Sequence, residues 1–275
     1  MQKIACATAI TLALAASIGL APSAKAGGDE GYAPGYGLTY PIAIVSGGDF
    51  AKNAAEGYTG LFFAFNRDLD RDGFVFRALG TRGVYDYRDS GTTFDGDYWQ
   101  GDVMLGYQWV RPGYEFGVYV GADFQNYDLS PDDPFNKLNG DEAGFKVAAD
   151  LESNDGRPSP IYYNLQGSYS TAFDTYYALG RLGYKFGRIT LGPEVWALGD
   201  VSGDAQRVGG FLMFDVPLRP TTPGRLTLSA GYQFTDDNNN NGRFSNSGFG
   251  EEGAYGTIHF QIALGRPAPA PAPLK

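Results

Sequence analysis

Apolar and polar residues alternate with a period of two along most of the chain, the spacing of strands with one apolar face. In Trp99-Gln100-Gly101-Asp102-Val103-Met104-Leu105-Gly106-Tyr107-Gln108-Trp109, one face reads Trp, Gly, Val, Leu, Tyr, Trp and the other Gln, Asp, Met, Gly, Gln. Phe116, Val118, Val120, Ala122 and Phe124 alternate with Glu115, Tyr119, Asp123 and Gln125, and Phe145, Val147, Ala149 and Leu151 alternate with Lys146, Asp150 and Glu152. Similar runs flank Arg181, Arg207, Gln233 and His259. The pattern predicts twelve strands, over 38–46, 58–66, 74–87, 97–110, 114–127, 143–153, 161–171, 174–186, 189–199, 206–217, 225–235 and 254–264. Over 58–66 both faces are apolar, so periodicity does not say which side turns outward.

Alternation suits a soluble sandwich as well as a membrane barrel. Three features favour an antiparallel transmembrane β-barrel. Lys146, Asp150, Arg181, Lys185 and Arg207 fall at mid-strand on the polar face, where a dry sandwich core would reject them and a wet lumen accepts them. Trp99 and Trp109 share one face ten residues apart, roughly 33 Å along a strand, or roughly 25 Å once tilted, the height of an outer-membrane apolar band with aromatic rims. Connections also alternate: 111–113 and 186–188 are tight, 129–142 and 236–252 long. An even strand count places both termini in the periplasm. Twelve strands lie between barrels filled by side chains and wide porins, so conduction stays open.

The N-terminus supplies a destination. Ile4 to Ala24 is uncharged, follows Met1-Gln2-Lys3 and leads into Ala24-Lys25-Ala26, a small-x-small cleavage pattern. Residues 1–26 read as a cleaved secretory signal, with an uncleaved anchor as the rival. Residues 27–37 then form a periplasmic segment, 38–265 the barrel and 266–275 a Pro/Ala-rich tail. The tail is an extended spacer, read either as a tolerated extension or as a periplasmic docking element. The lone cysteine, Cys6, lies inside the signal. Cleavage removes Lys3 and Lys25 and no acid, moving the net charge from −10 to −12. That acidity excludes a nucleic-acid partner, for want of a basic surplus to neutralise phosphates. One histidine and one cysteine leave little for zinc or haem, and no cofactor is expected. Forty glycines without a Gly-X-Y period exclude collagen, and 19 tyrosines with 19 phenylalanines exclude a disordered chain.

Two stretches resemble a known family. Asp128-Leu129-Ser130-Pro131-Asp132-Asp133-Pro134, then Gly140 and Gly144-Phe145-Lys146-Val147, look like one signature of the cellulose biosynthesis protein BcsS family. Ile189-Thr190-Leu191-Gly192-Pro193-Glu194-Val195-Trp196-Ala197-Leu198-Gly199-Asp200, followed by Arg207-Val208-Gly209-Gly210, are similar to a second, and Val45-Ser46-Gly47-Gly48-Asp49 extends the resemblance toward the start. The resemblance implies an outer-membrane barrel of a Gram-negative bacterium that accompanies cellulose or exopolysaccharide synthesis and export. It implies as partners outer-membrane lipid, cellulose or a related polysaccharide, and cellulose synthase or export components. It implies no biochemical activity.

The polar face carries Tyr119, Tyr127, Tyr162, Tyr177, Trp196 and Tyr255 among Glu115, Asp123, Lys146, Asp150, Arg181, Glu194 and Arg207. Aromatic faces interspersed with hydrogen-bonding groups suit a sugar chain. The competing explanation is that the charges neutralise one another across the lumen, with Glu194 and Arg207 paired on neighbouring strands. Asp68, Asp70, Asp72 and Gly73 repeat the first half of a calcium loop, but Leu79 stands where a bidentate Glu would be needed, so a solvated periplasmic turn is expected. Asp237, Asn239, Asn241 and Gly242 read as an extracellular loop. His259, the only histidine, reads as a polar lumen residue, since no serine carries a nucleophile motif. A non-enzymatic accessory barrel leads, ahead of a narrow porin for small solutes and an outer-membrane hydrolase.

Overall fold

The computed structural model describes residues 38–89, 91–157, 159–219, 221–236 and 249–267. The expected signal, the segment 27–37, the tail beyond Pro267 and the loop containing Asp237, Asn239, Asn241 and Gly242 lie outside the described residues. The strands are β1 (Leu38–Lys52), β2 (Ala54–Ala64), β3 (Gly73–Asp89), β4 (Thr92–Arg111), β5 (Tyr114–Ser130), β6 (Gly140–Glu152), β7 (Ile161–Ser170), β8 (Tyr176–Phe186), β9 (Ile189–Asp200), β10 (Gly203–Arg219), β11 (Thr222–Asp236) and β12 (Glu251–Pro267). Each pairs antiparallel with its sequence neighbours, and β12 pairs with β1 through contacts such as Val45 with Gln261 and Gly47 with His259, closing the barrel. Closure leaves no sheet edge for lipid to contact. Strands reach 20 residues in β4, well beyond the roughly 9–11 needed to cross a bilayer, so their ends project past it.

The period-two pattern sorts the side chains in and out. Large apolar residues are exposed around the outer wall, among them Leu61 on β2, Val103 on β4, Phe145 on β6, Leu182 on β8, Val208 on β10 and Ile258 on β12. Such a continuous apolar wall needs an apolar solvent. On β2 the ambiguity resolves: Leu61 faces out, as does Phe65 just past the strand, while Tyr58, Phe62 and Ala64 point inward and are buried. With Val45, Val75, Leu79, Met104 and Tyr119 they form an apolar plug inside the β1–β5 wall.

The expected division into one end of short turns and one of long loops is corrected. The end where β1 begins and β12 finishes, the terminal end, has two-residue turns but also the eight-residue connections 65–72 and 153–160, and the far end mixes a one-residue turn at Asn53 with the loop 131–139. The longer connections at the terminal end fold back on the strands. The Leu69 amide donates to the Tyr40 carbonyl at 2.9 Å and Gln108 Nε2 to the Arg71 carbonyl at 3.0 Å. Asn154 Nδ2 likewise binds the carbonyls of Arg111 and Tyr114 at 2.9 and 3.0 Å.

Candidate functional site

The candidate site is the barrel interior. Glu115, Tyr119, Asp123, Lys146, Asp150, Arg181, Glu194, Trp196 and Arg207 point inward and are buried, and Tyr177 points inward half-buried. The expectation that these charges stand in enclosed water is corrected. Arg77 and Asp123 have 0% exposure, so the interior is filled by side chains and most charges are met by other side chains. An ionised group removed from water persists only when paired and hydrogen-bonded.

Three groups of partners fill the lumen. On the β8–β12 wall, Glu194 accepts from Arg181 Nε at 2.8 Å, Ser229 Oγ at 2.9 Å and Tyr255 Oη at 2.9 Å. Arg207 binds Asp49 and donates to Gln233 Oε1 at 2.7 Å, with its guanidinium 4.8 Å from the Tyr255 ring centre. The expected Glu194–Arg207 pair does not form. Register places Arg181 directly opposite Glu194, whereas Arg207 lies opposite Trp196 and turns toward β1. On the β3–β6 wall, Lys146 Nζ bridges Asp102 at 2.7 Å and Asp123 at 3.8 Å, and Arg77 lies 3.8 Å from Asp102 and 5.2 Å from the Tyr119 ring centre. Near the terminal end, Arg225 of β11 reaches across the lumen to Glu152 of β6 at 2.6 Å. His259 hydrogen-bonds Tyr58 from the opposite side of β1.

The far mouth is closed by residues that alternation alone does not single out. Loop 131–139 turns inward, held where Tyr87 Oη donates to Asp133 Oδ2 at 2.7 Å and Asn136 Nδ2 donates to Tyr87 Oη at 3.0 Å. Ser202 Oγ, in the β9–β10 turn, donates to Asn136 Oδ1 at 3.3 Å. Leu138, at 0% exposure, packs in one cluster with Tyr85, Tyr87, Tyr98, Tyr127 and Phe173. The only hint in sequence is Tyr85-Asp86-Tyr87, whose rings share a face by period two.

The calcium-like triplet is otherwise engaged. Asp68 binds Arg71 at 3.0 Å, and Asp72 receives Arg111 Nη1 at 2.6 Å and the Val110 amide at 2.8 Å. Those two donors hold the Asp72 carboxyl below the usual carboxylate range. Among the described residues no three His, Cys, Asp or Glu converge as a metal site requires.

The model of the family described as cellulose biosynthesis protein BcsS matches residues 43–264, from within β1 to within β12. The chain belongs to this family. No curated protein matches the sequence. Similar solved structures include the KdgM porin in complex with disordered oligogalacturonate, at 9% identity and a TM-score of 0.40, covering 81% of this chain and 99% of that one. The β domain of the Bordetella autotransporter Brka gives 12%, 0.42, 82% and 98% for the same measures. CdiB from Escherichia coli gives 8%, 0.41, 82% and 63%.

In this BcsS-family barrel the signature residues occupy two places. Asp132, Asp133 and Pro134 belong to the mouth loop, where Asn139 Nδ2 donates to Asp132 at 3.2 Å. Gly140 opens β6 with a φ of 86°, and a Cβ on Gly144 would lie 2.3 Å from the Ala172 amide nitrogen, so only glycine lets the 171–175 connection close on β6. Glu194 belongs to the Arg181–Glu194–Tyr255 group, Gly209 and Arg207 lie beside Tyr255, Gly192 lies against Leu182 and Gly183 of β8, and the Pro193 side of β9 faces outward. A Cβ on Gly192 would meet the Leu182 carbonyl at 1.9 Å.

Proposed function

We propose that the protein is a non-enzymatic outer-membrane barrel, termini in the periplasm, that supports cellulose or related exopolysaccharide production as an accessory component rather than as an open conduit. The carrying observation is that the family match runs over residues 43–264, from within β1 to within β12, and so takes in part or all of each of the twelve strands. An apolar outer wall over a charged, packed interior supports placement in the outer membrane, with lipid as immediate partner. Residues 1–26 serve as the signal that delivers it. The polysaccharide and the synthase or export components are the partners of the accessory role.

The inward charges, apart from Asp150, enter this proposal as the frame that keeps the barrel closed, because ion pairs and hydrogen bonds among them occupy the lumen. The same filling disfavours the porin alternative. Deleting the gene in its host and measuring cell-bound cellulose by dye binding tests the role: reduced or detached cellulose, restored by the wild-type gene, is expected. Unchanged cellulose in amount and attachment would remove the proposal. Recovery of the protein in the soluble periplasmic fraction would remove the localisation.

A further inference from the structure

Six aromatic rings run in an unbroken chain around the far mouth. Phe94 and Tyr87 have centroids 5.0 Å apart, Tyr87 and Tyr85 6.2 Å, Tyr85 and Tyr98 6.1 Å, Tyr98 and Tyr127 5.1 Å, and Tyr127 and Phe173 5.2 Å. Polar atoms line the same surface. Tyr98 Oη binds Glu56, Gln100 Nε2 donates to Tyr127 Oη at 2.7 Å, and Asp133 and Asn136 meet Tyr87. The buried Tyr85 hydroxyl has no hydrogen-bond partner among the described residues, an arrangement that costs free energy unless something else satisfies it.

Over these rings lies a segment that belongs to no strand. Loop 131–139 is fastened to the wall through Tyr87 and to the opposite turn through Ser202, and it seats Leu138 against the tyrosines. An aliphatic side chain on aromatic rings makes the same contact as the C–H face of a pyranose, with hydroxyl partners at the ring edges completing a sugar site. Charge narrows the ligand. The carboxyl groups of Glu56 and Asp133 stand in the ring surface and, among the described residues, no Lys or Arg is hydrogen-bonded to these tyrosines, so an anionic glycan is disfavoured and a neutral one accepted.

We propose that loop 131–139 is a removable cap over a binding site for a neutral glucan chain, with Leu138 holding the place of one sugar ring. That the glycan is a glucan rests on the accessory role proposed above; the site, the cap and the neutrality rest on the mouth itself.

The test is made on the full barrel purified in detergent, carrying Asn136→Cys and Ser202→Cys as its only cysteines once the signal is removed. Its cellohexaose binding, read by intrinsic fluorescence, is compared before and after bridging the pair with a short thiol cross-linker. Binding before bridging, at least tenfold weaker afterwards, is expected. Leu138→Ala, which leaves the strands untouched, is expected to bind several-fold tighter, and an oligoglucuronate of equal length to bind at least tenfold more weakly than cellohexaose. Equal binding in bridged and unbridged protein overturns the cap, equal binding of the two sugars overturns the neutrality, and no cellohexaose binding by wild type or Leu138→Ala overturns the site. Normal cellulose in the deletion strain alongside cap-dependent cellohexaose binding would remove the accessory role and leave the site standing.

Discussion

Glu194 is the acceptor for three donors, Arg181, Ser229 and Tyr255, in an interior with almost no access to water. Glu194→Ala strands the Arg181 guanidinium and is expected to cost about 3–5 kcal/mol in reversible urea unfolding from lipid vesicles. Replacing both partners, Arg181→Met with Glu194→Leu, should recover most of that loss, since well-packed apolar side chains can substitute for a buried pair. Glycines divide by geometry. Gly192→Ala pushes a methyl into the Leu182 carbonyl and should abolish the compact heat-modifiable form on gels, whereas Gly101→Ala, whose nearest neighbour lies 3.8 Å away, should leave it unchanged. That Arg181 and Glu194 turn inward is legible in sequence, because neither charge tolerates lipid. Who pairs with whom is not, since Arg207 finds Asp49 only once β12 has closed on β1.

Among the elements, the 131–139 loop and the β2–β3 connection do work that periodicity does not announce. Tyr87→Phe removes two bonds to the loop, each worth about 1 kcal/mol. Amide exchange over 131–139 should accelerate by about tenfold or more while the strands stay protected. At the terminal end, Asp72 fastens β4 by accepting from the Val110 amide and Arg111. Because its carboxyl is depressed in the folded chain, the contact is complete above the ordinary carboxylate range and is lost only as pH falls through the lower, folded value. Protection of the Val110 amide should therefore persist into mild acid in wild type and be reduced at neutral pH in Asp72→Asn. Strand positions were readable from alternation, as in β5, expected over 114–127 and found over Tyr114–Ser130. The loops were not, because a polar run such as Asp132-Asp133-Pro134 looks the same whether it points into solvent or folds over a mouth.

Across the whole molecule the twelve strands close around side chains rather than around a channel. In planar bilayers the protein should pass only a small fraction of the ion current of an open porin. Arg225→Ala with Glu152→Ala, which deletes the bridge across the lumen, should raise that current; porin-like conductance of the wild type would contradict the packed interior. By itself the sequence determined that the chain is a barrel of twelve antiparallel strands with its charges inside, because an apolar face opposite a polar one on most strands, ionised on several, leaves few ways to satisfy both. Only the tertiary structure decided that the interior is filled, that Arg225 meets Glu152 and that a loop covers a ring of tyrosines. Period two encodes which side of a strand a residue occupies, but not what stands opposite once the sheet has curled shut.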